Sequence, residues 1–372
     1  MQQALKISVT VPTYSRAETL RKLIAHLADQ DLDPSSYEAV IADDGSPDNT
    51  REVVEQLQKK VPFQLNYHRH PNRGIGATQN CAIREAKGPI VLMIADDILL
   101  ARHALRAHLE SHQAHPEQEV AVLGNVRQSP EMAQTVFLRT WNLFRFEDFE
   151  GPIEVPYYRF WAANISAKRD FLMKHGLFRE DLGRGGPAAH EDAELGCRLH
   201  KSGLRILYNA AAKGDHYHIV TRERACTRAW EQGLNFDEFR AFAPAPEIPV
   251  AYHDLRWSTF GDHLRAWLGP RRRDLAPTDR NPLRMIARHV LRGMVFNGVT
   301  VPLFWDPLFD RAERDPRVAA RMRATFYRGV IGYHFFRGCR EGNRRFGAPR
   351  SAQPQLRSSM DANFRTSESQ SD

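Results

Sequence analysis

The chain has 372 residues, of which 42% are hydrophobic and 26% charged, and this balance excludes a wholly disordered, collagen-like or disulfide-scaffold protein. Its 52 basic and 45 acidic residues give a net charge of +7, which favours acidic partners such as nucleotides, phosphates or anionic lipid surfaces. Acidic and basic residues are interspersed along most of the chain, so we do not expect a nucleic-acid partner.

The cysteines and the N-terminus indicate the cellular setting. The four cysteines lie far apart and form no CxxC pair, which disfavours a zinc knuckle or a disulfide framework. The N-terminal residues lack the apolar core of a signal peptide, and no window holds about 18 uncharged apolar residues. We therefore expect a cytoplasmic protein without a membrane-spanning helix.

The first 125 residues or so alternate between short apolar strands and segments with helical spacing of apolar residues. This alternation predicts an α/β fold with a doubly wound, mostly parallel sheet. In such sheets, ligands bind beyond the carboxyl ends of the strands. Asp43-Asp44 and Asp96-Asp97 both fall at strand ends. The predicted strands are 7–11, 38–42, 64–68 and 89–94, with a fifth near Val120.

Three regions follow from the change of pattern along the chain. Residues 1–220 read as a nucleotide-sugar-binding catalytic domain once the motifs described below are included. Residues 221–348 are rich in arginine and aromatics, and we predict a helical C-terminal region there. Residues 349–372 are polar and rich in serine and glutamine, which predicts a disordered tail.

Asp43-Asp44-Gly45-Ser46 follows the second predicted strand. These residue types favour a plain turn, but a carboxylate here also suits a ribose hydroxyl or a base N–H. The glycine fingerprint GxGxxG does not follow the first strand, and no Walker A sequence is present. Both absences disfavour nicotinamide, flavin and P-loop chemistry.

Asp96-Asp97 follows the wholly apolar run Ile90–Ile94. Carboxylates at this position are costly unless a cation or hydrogen-bond donors compensate them. Oxygen ligands beside phosphates suit Mg²⁺ or Mn²⁺. The alternative is an ordinary polar strand end.

Glu191-Asp192 precedes a helical segment, whose dipole favours ionised carboxylates. An ionised carboxylate suits a general base, although acidic pairs at helix starts are common without any function. His216 and His218 lie near a strand end at a spacing that places both on one face. Each is a candidate metal ligand or a structural histidine.

Asn72-Arg73-Gly74-Ile75-Gly76 lies between the third strand and the next helix. Its glycines allow close approach of the backbone, and Arg73 is able to meet a phosphate or a nucleobase. The alternative is a glycine-rich turn.

The order of these segments resembles the family 2 glycosyltransferases, which have the GT-A fold. The resemblance covers about residues 5–220. Its segments are Val9–Tyr14, Asp43–Thr50, Asn72–Asn80, Ala95–Asp97, Ala163–Ser166 and His190–Leu199.

The resemblance implies an inverting transfer of a sugar from a nucleotide-diphosphate sugar to an acceptor hydroxyl. A divalent cation (Mn²⁺ or Mg²⁺) would act as Lewis acid on the leaving diphosphate. The acceptor would be a glycan, a lipid-linked molecule or another alcohol, as in polysaccharide or glycoconjugate biosynthesis.

The same resemblance implies roles for individual residues. The donor-binding residues would be Pro12, Thr13 and Tyr14 at the base, Asp44 and Arg73 at the base or ribose, and Glu191. The residues at the chemistry would be Asp96 and His216 at the metal, Asn164 near the sugar or acceptor, and Asp192 as catalytic base.

The sequence departs from the family pattern at two places. Ile94 stands where the family often has an acid that contacts the ribose, so ribose binding is expected to be looser or met by backbone groups. The family's tryptophan before Glu-Asp is also absent.

The C-terminal region allows two interpretations. Arg284, Arg288 and Arg292 recur every four residues among apolar residues, and the apolar stretch Met294–Trp305 follows. This pattern is typical of a basic amphipathic helix at the inner face of a membrane, or of a helix that packs on the catalytic domain. The apolar run is short and contains Pro302, which favours the core interpretation; the aromatics of 326–336 likewise read first as core.

Two other functions compete with sugar transfer. A sugar nucleotidyltransferase uses a similar sheet and Mg²⁺, but it needs a glycine-rich phosphate loop after the first strand, where this chain has Pro12–Ser15. A non-catalytic nucleotide-sugar-binding module predicts that Asp192 is dispensable, whereas a transferase needs it.

Overall fold

The computed structural model describes residues 5–141, 154–183, 190–242 and 290–346. The first half of the chain alternates strands and helices as predicted. Its elements are β1 (Ile7–Thr13), α1 (Ala17–Ala28), β2 (Tyr37–Asp43), α2 (Thr50–Gln58), β3 (Gln64–Arg69), α3 (Ile75–Glu85) and β4 (Ile90–Ile94).

These elements form because their apolar residues have the period of the structure they adopt. Every residue of β1 and β2 is buried, as expected for central strands covered on both faces. On α1, the buried residues Leu20, Leu23, Ile24 and Leu27 form one stripe at helical spacing. This stripe packs in the main core with Ile7, Val9 and Val11 of β1 and with β4.

The chain then adds a second group of strands. Its elements are β5 (Ile98–Leu100), α4 (Ala104–Ala114), β6 (Val120–Gln128), α5 (Val136–Thr140), β7 (Glu154–Val155), β8 (Asn164–Lys168), α6 (Arg169–His175), α7 (Glu191–His200) and β9 (Arg205–His216). The strand predicted near Val120 is β6, and the helical segment predicted after Glu191-Asp192 is α7, whereas β5 and β8 were not predicted.

Within the described residues, the sheet has nine strands in the order β3-β2-β1-β4-β8-β6-β9-β5, with β7 paired to β9. Pairing is parallel from β3 to β4 and between β6 and β9. Strand β8 runs antiparallel to both β4 and β6, and β5 and β7 run antiparallel to β9. The sheet is therefore mixed rather than mostly parallel.

The register brings several strand ends to one edge. Thr13 at the end of β1 pairs with Asp43 at the end of β2. Ile94 at the end of β4 pairs with Asn164 at the start of β8. Because β8 runs in the opposite direction, the residues that precede it lie beside the residues that follow β4.

The described C-terminal part is helical. Its elements are α8 (Arg222–Leu234), α9 (Phe236–Phe242), a π-helical turn (Val301–Trp305), α10 (Asp306–Arg314), α11 (Pro316–Ala319) and α12 (Ala324–Phe346). Helix α12 packs on α8 and also on α7, where Phe335 and Cys339 join Ala193 and Cys197 in one apolar cluster. The helix that carries Glu191 and Asp192 is thus held from the C-terminal side.

The predicted core position of Met294–Trp305 is wrong for part of this stretch. Trp305 is buried, but Met294, Leu303 and Phe304 are 68%, 75% and 57% exposed. Of the aromatics in 326–336, Tyr327 and Phe335 are buried, and the other three are partly buried. Arg284, Arg288 and the predicted tail lie outside the described residues.

Two further findings concern the chain's setting. Among the residues that the structure describes, no helix is both long enough and apolar enough to cross a bilayer. The four cysteines are all free thiols, in keeping with the absence of a disulfide framework.

Candidate active site

The two aspartates at the end of β2 have different surroundings. Asp43 is fully buried and closes the following turn, because its Oδ1 accepts hydrogen bonds from the Ser46 amide at 2.8 Å and the Ser46 hydroxyl at 2.6 Å. The hydroxyl of Tyr67 on β3 donates to its other oxygen. The turn proceeds through Gly45, which has a φ of 80° that favours glycine.

Asp44 binds the loop that follows β3. Its Oδ1 accepts the Arg73 amide at 2.7 Å, and its Oδ2 accepts the Gly74 amide at 3.0 Å. The carboxylate therefore ties the two loops predicted to surround the donor nucleotide. It orders the pocket whether or not it contacts a base.

Arg73 is bound through its backbone, and its side chain faces elsewhere. The Arg73 guanidinium forms an ion pair with Glu180 at 2.5 Å and is 58% exposed. A contact between Arg73 and a nucleobase therefore requires this side chain to leave Glu180.

Asp96 lies beside the end of β1. Its Oδ2 accepts a hydrogen bond from the Thr13 hydroxyl at 2.8 Å, and its Oδ1 accepts one from Nη1 of Arg16 at 2.9 Å. Burial is the largest influence on this carboxyl and raises the pKa of Asp96 to about 7, with Arg16 acting in the opposite direction. Tyr14, the next residue after Thr13, is 47% exposed at the same edge.

Arg16 connects the second aspartate and a histidine to this group. The same Nη1 lies 2.9 Å from Oδ2 of Asp97, and Nη2 lies 3.0 Å from Nδ1 of His218. Burial alone would lower the pKa of Arg16, but the carboxylates of Asp96 and Asp97 outweigh burial and raise it. Arg16 thus supplies the positive charge between the two carboxylates.

His216 reaches the site from the end of β9. Its Nε2 lies 3.7 Å from Oδ2 of Asp97, and its Nδ1 lies 3.3 Å from the amide oxygen of Gln128. Burial lowers the pKa of His216, which favours the neutral imidazole that binds metals. Its ring centroid is 5.7 Å from that of His218.

The donor set suits a divalent cation, on one condition. Carboxylate oxygens with one imidazole fit Mn²⁺, and Mg²⁺ sites commonly use one or two carboxylates and complete their coordination with substrate phosphates. Within the described ranges, no three His, Cys, Asp or Glu side chains are already arranged around a common point. Since Arg16 holds both Asp96 and Asp97, a cation bound there requires Arg16 to move.

Asp192 lies at the same edge of the sheet. It stands in the first turn of α7, and its Oδ2 accepts the amide of Ala162 at 3.2 Å. Ala162 lies two residues before the start of β8, and Asp96 lies two residues after the end of β4, so the antiparallel register sets them opposite each other. Asp44, Asp96 and Asp192 therefore lie at the same edge of the sheet.

Burial shifts both acids at the start of α7. It raises the pKa of Asp192 to about 6 and that of Glu191 to about 8. The guanidinium of Arg228 on α8 lowers both pKa values to a lesser extent. Burial therefore disfavours the ionised form of both acids, and more strongly at Glu191 than at Asp192.

Asn164 is inside the protein. Its side chain is fully buried, donates to the Ala212 carbonyl at 2.9 Å and accepts from the His108 ring at 3.0 Å. Contact with a sugar would require these internal bonds to break, so the placement does not favour the ligand role that the family resemblance implied.

Two functional candidates escaped the sequence reasoning. Arg16 follows Pro12–Ser15 directly, but a single arginine after a strand gives no signal of its own. Arg228 belongs to the C-terminal helices, and its proximity to Asp192 arises only when α8 packs beside α7. Between them they add two positive charges to a group of carboxylates.

Comparison with known proteins finds similarity to glycosyltransferases. A model of the family "Glycosyl transferase family 2" matches residues 8–163. Validoxylamine A glucosyltransferase of Streptomyces hygroscopicus subsp. limoneus is 28% identical over 271 residues, covering 65% of this chain and 58% of that protein. The uncharacterized glycosyltransferase YfnE of Bacillus subtilis is 26% identical over 247 residues, covering 54% and 62%. The chain thus spans about three fifths of the length of these relatives.

A solved structure supports the fold. The mannosyltransferase PcManGT from Pyrobaculum calidifontis, in complex with GDP-Man and Mn²⁺, superposes with a TM-score of 0.54 at 18% identity. The superposition covers 89% of this chain and 86% of that one, and it confirms the GT-A type fold expected from the motifs. Together, the family model and the relatives show that residues 8–163 are similar to the family 2 glycosyltransferases.

Proposed function

We propose that this protein is an inverting, metal-assisted glycosyltransferase that moves a sugar from a nucleotide-diphosphate sugar to an acceptor hydroxyl. The observation that carries the proposal is that Asp44, Asp96 and Asp192 stand at the same edge of the sheet, where the strand ends meet. Such a sugar transfer needs a pocket for the donor, stabilisation of the charge that develops on the diphosphate, and a base that takes the acceptor's proton. Each carboxylate is assigned to one of these needs.

The donor nucleotide is assigned to the loops that Asp44 ties together. Pro12, Thr13 and Tyr14 at the end of β1 would border the base, and the amides of the loop at Arg73 and Gly74 are fixed by Asp44. Relatives support this class of donor, since PcManGT was solved with GDP-Man. The acceptor is assigned only as a glycan, lipid-linked or other hydroxyl compound.

Asp192 is assigned as the general base. Its Oδ2 is oriented by the Ala162 amide, and its pKa near 6 allows it to be ionised at neutral pH and still accept a proton. Removal of the acceptor's proton makes its oxygen a stronger nucleophile. Attack from the side opposite the diphosphate inverts the anomeric carbon.

The developing negative charge on the diphosphate is assigned to the group around Asp96. A divalent cation, when bound, supplies Lewis-acid stabilisation of that charge. Asp96 and His216 would hold the cation; His216 lies 3.7 Å from Asp97, the neighbour of Asp96. PcManGT, which was solved with Mn²⁺, supports a divalent cation in a protein of this fold. Arg16 and Arg228 would add positive charge around the leaving group.

The proposal is tested by a screen of UDP-, GDP- and dTDP-sugars on the whole chain, with and without Mn²⁺. We expect one nucleotide class to raise the melting temperature, because a ligand at about 100 times its Kd stabilises the native state by ~2.7 kcal/mol. The same donor should be slowly hydrolysed. If no nucleotide sugar binds in either condition, the proposal is wrong.

The variant Asp192→Asn separates a transferase from a binding module. We expect donor binding by calorimetry to remain within about two-fold, while turnover falls by ~10²–10⁴. Asp170→Asn is the matched control, because Asp170 also lies in the first turn of a helix but is on α6. Unchanged turnover in Asp192→Asn would favour the binding module.

A further inference from the structure

An exposed apolar surface lies far from the carboxylates in sequence. Of the 11 large apolar side chains that are exposed among the described residues, seven fall within residues 290–304. We name Met294, Val299, Leu303 and Phe304 the apolar tip; they are between 57% and 75% exposed. Such concentration of exposed apolar area marks an interaction site.

The apolar tip has a defined shape, because polar bonds hold the turn that carries it. The Asn297 side-chain oxygen accepts the amides of Val299 at 2.9 Å and Thr300 at 3.0 Å. The indole of Trp305 donates to the Val295 carbonyl at 2.9 Å. The same indole stacks on Phe296 with ring centroids 4.7 Å apart. The turn therefore anchors its aromatic base in the protein and directs the tip residues outward.

The charge around the tip is strongly positive. Residues 290–346 contain 11 arginines, no lysine and five acidic residues, a net charge of +6 within a chain of net charge +7. The acids of α10 each have a partner within the protein, although Asp310 remains 54% exposed. Arg222 binds Asp306 at 3.1 Å and Asp310 at 2.9 Å, and Glu313 accepts the amides of residues 136 and 137.

The exposed arginines of α10 follow the tip along one helix. Residues 300–314 are continuously helical, with Arg311 seven residues after Phe304 and Arg314 eleven residues after Leu303. Because the segment is π-helical over Val301–Trp305 and α-helical from Asp306, both arginines lie further along the same helical segment, roughly 10–16 Å from the tip at an α-helical rise. The helical segment therefore carries apolar side chains at the tip and positively charged side chains further along.

We propose that the apolar tip inserts into the interfacial layer of an anionic lipid bilayer, with Arg311 and Arg314 near the lipid phosphates. Apolar side chains gain by leaving water for the acyl boundary, and basic residues gain from an anionic surface. Charge complementarity distinguishes this partner from a second copy of the chain, whose equivalent surface carries the same positive charge. The inference does not depend on the sugar-transfer chemistry.

The test is sedimentation of the whole chain with vesicles of phosphatidylcholine, with or without about 30% phosphatidylglycerol. We expect at least ten-fold stronger binding to the anionic vesicles, weakened by salt. The double variant Leu303→Ser/Phe304→Ser should lose at least ten-fold of this binding. Met173→Ser/Ile219→Ser is the matched control, since both residues are exposed apolar side chains elsewhere, and it should bind as the native chain does.

A second variant checks the charge. Arg311→Gln/Arg314→Gln should reduce the preference for anionic vesicles and leave the melting temperature unchanged, because both side chains are exposed. The proposal would be overturned if the native chain did not bind vesicles, or bound neutral and anionic vesicles equally. It would also be overturned if the Leu303→Ser/Phe304→Ser variant bound as the native chain does. A concentration-dependent dimer, measured by light scattering, that the same variant abolishes would likewise overturn it.

Discussion

Asp192 determines how the proposed reaction responds to pH. Burial raises the pKa of this carboxyl to about 6, so the base form is lost as the pH falls through that value. We therefore expect kcat to be constant above about pH 7 and to fall ten-fold per pH unit well below 6. A kcat profile from pH 4.5 to 8.5 measures it, and a profile without an inflection between pH 5 and 7 would contradict the assignment.

The same pKa has an opposite consequence for stability. Because the folded state holds this proton more tightly than the unfolded state, the contribution of Asp192 to stability falls as pH rises from about 4 to 6. Asp192→Asn removes the unfavourable burial of an ionised carboxylate. The melting temperature of this variant at pH 7 should therefore equal or exceed that of the native chain. A lower melting temperature would show that the ionised carboxylate stabilises the fold.

We expect Arg16 to compete with a divalent cation for Asp96 and Asp97, the two aspartates that follow β4. The Arg16 guanidinium contacts both carboxylates at 2.9 Å, so Arg16→Gln leaves Asp96 and Asp97 without a positively charged partner. We expect the metal-free variant to lose ~1–3 kcal/mol of stability, less than for a fully buried pair because Arg16 is 29% exposed. Mn²⁺ should stabilise the variant more than the native chain, as measured by melting with and without the metal.

The control for this experiment is Arg21→Gln. Arg21 lies on α1, which begins directly after Arg16, and pairs with Glu18 at the surface, where such pairs contribute little. Its response to Mn²⁺ should match that of the native chain. An equal Mn²⁺ shift in Arg16→Gln and the native chain would exclude competition between Arg16 and the metal.

At the scale of elements, apolar periodicity identified the strands and helices that pack by hydrophobic contact alone. Strand β8 escaped because its sequence, Asn-Ile-Ser-Ala-Lys, has no apolar run, although all five residues are buried. Its polar side chains are satisfied by histidines of α4: the Ser166 hydroxyl lies 2.8 Å from His108, and the Lys168 ammonium lies 2.7 Å from His112. Such partners, distant in the chain, are invisible in a single sequence.

Helices α8 and α12 approach closely through glycines. A Cβ on Gly338 would lie 2.1 Å from the Trp230 carbonyl oxygen, and one on Gly233 would lie 2.1 Å from the Phe335 carbonyl oxygen. Because both obstacles are backbone atoms, Gly338→Ala must push the helices apart. We expect a loss of ~1–3 kcal/mol and a lower melting temperature.

Gly293→Ala is the matched control for that substitution. Gly293 is also helical, and a Cβ there meets no atom within 4 Å. Alanine favours a helix more than glycine does, by roughly 0.5–1 kcal/mol, so this variant should be as stable as the native chain or more so. If Gly338→Ala and Gly293→Ala have the same melting temperature, the helices are not in close contact at residue 338.

At the scale of the whole molecule, the site depends on regions that the motifs do not cover. Residues at the carboxyl ends of β1, β2 and β4 were predictable, since parallel strands bring their ends to one edge. The position of Asp192 was not, because it depends on the antiparallel register of β8 and on a helix held between the sheet and α12. The proximity of Arg228 to Asp192 was likewise not predictable, because it depends on the packing of α8 beside α7.

This dependence predicts the effect of shortening the chain. Ending it after residue 323 removes α12, so that Ala193, Cys197 and Ala229 lose their packing against Phe335 and Cys339. We expect transfer to be lost and the melting temperature to fall, although Asp44, Asp96 and Asp192 all remain in the sequence. A chain ended after residue 348 keeps α12 and controls for length. Full activity in the shorter chain would show that α7 holds Asp192 in place without support from the C-terminal helices.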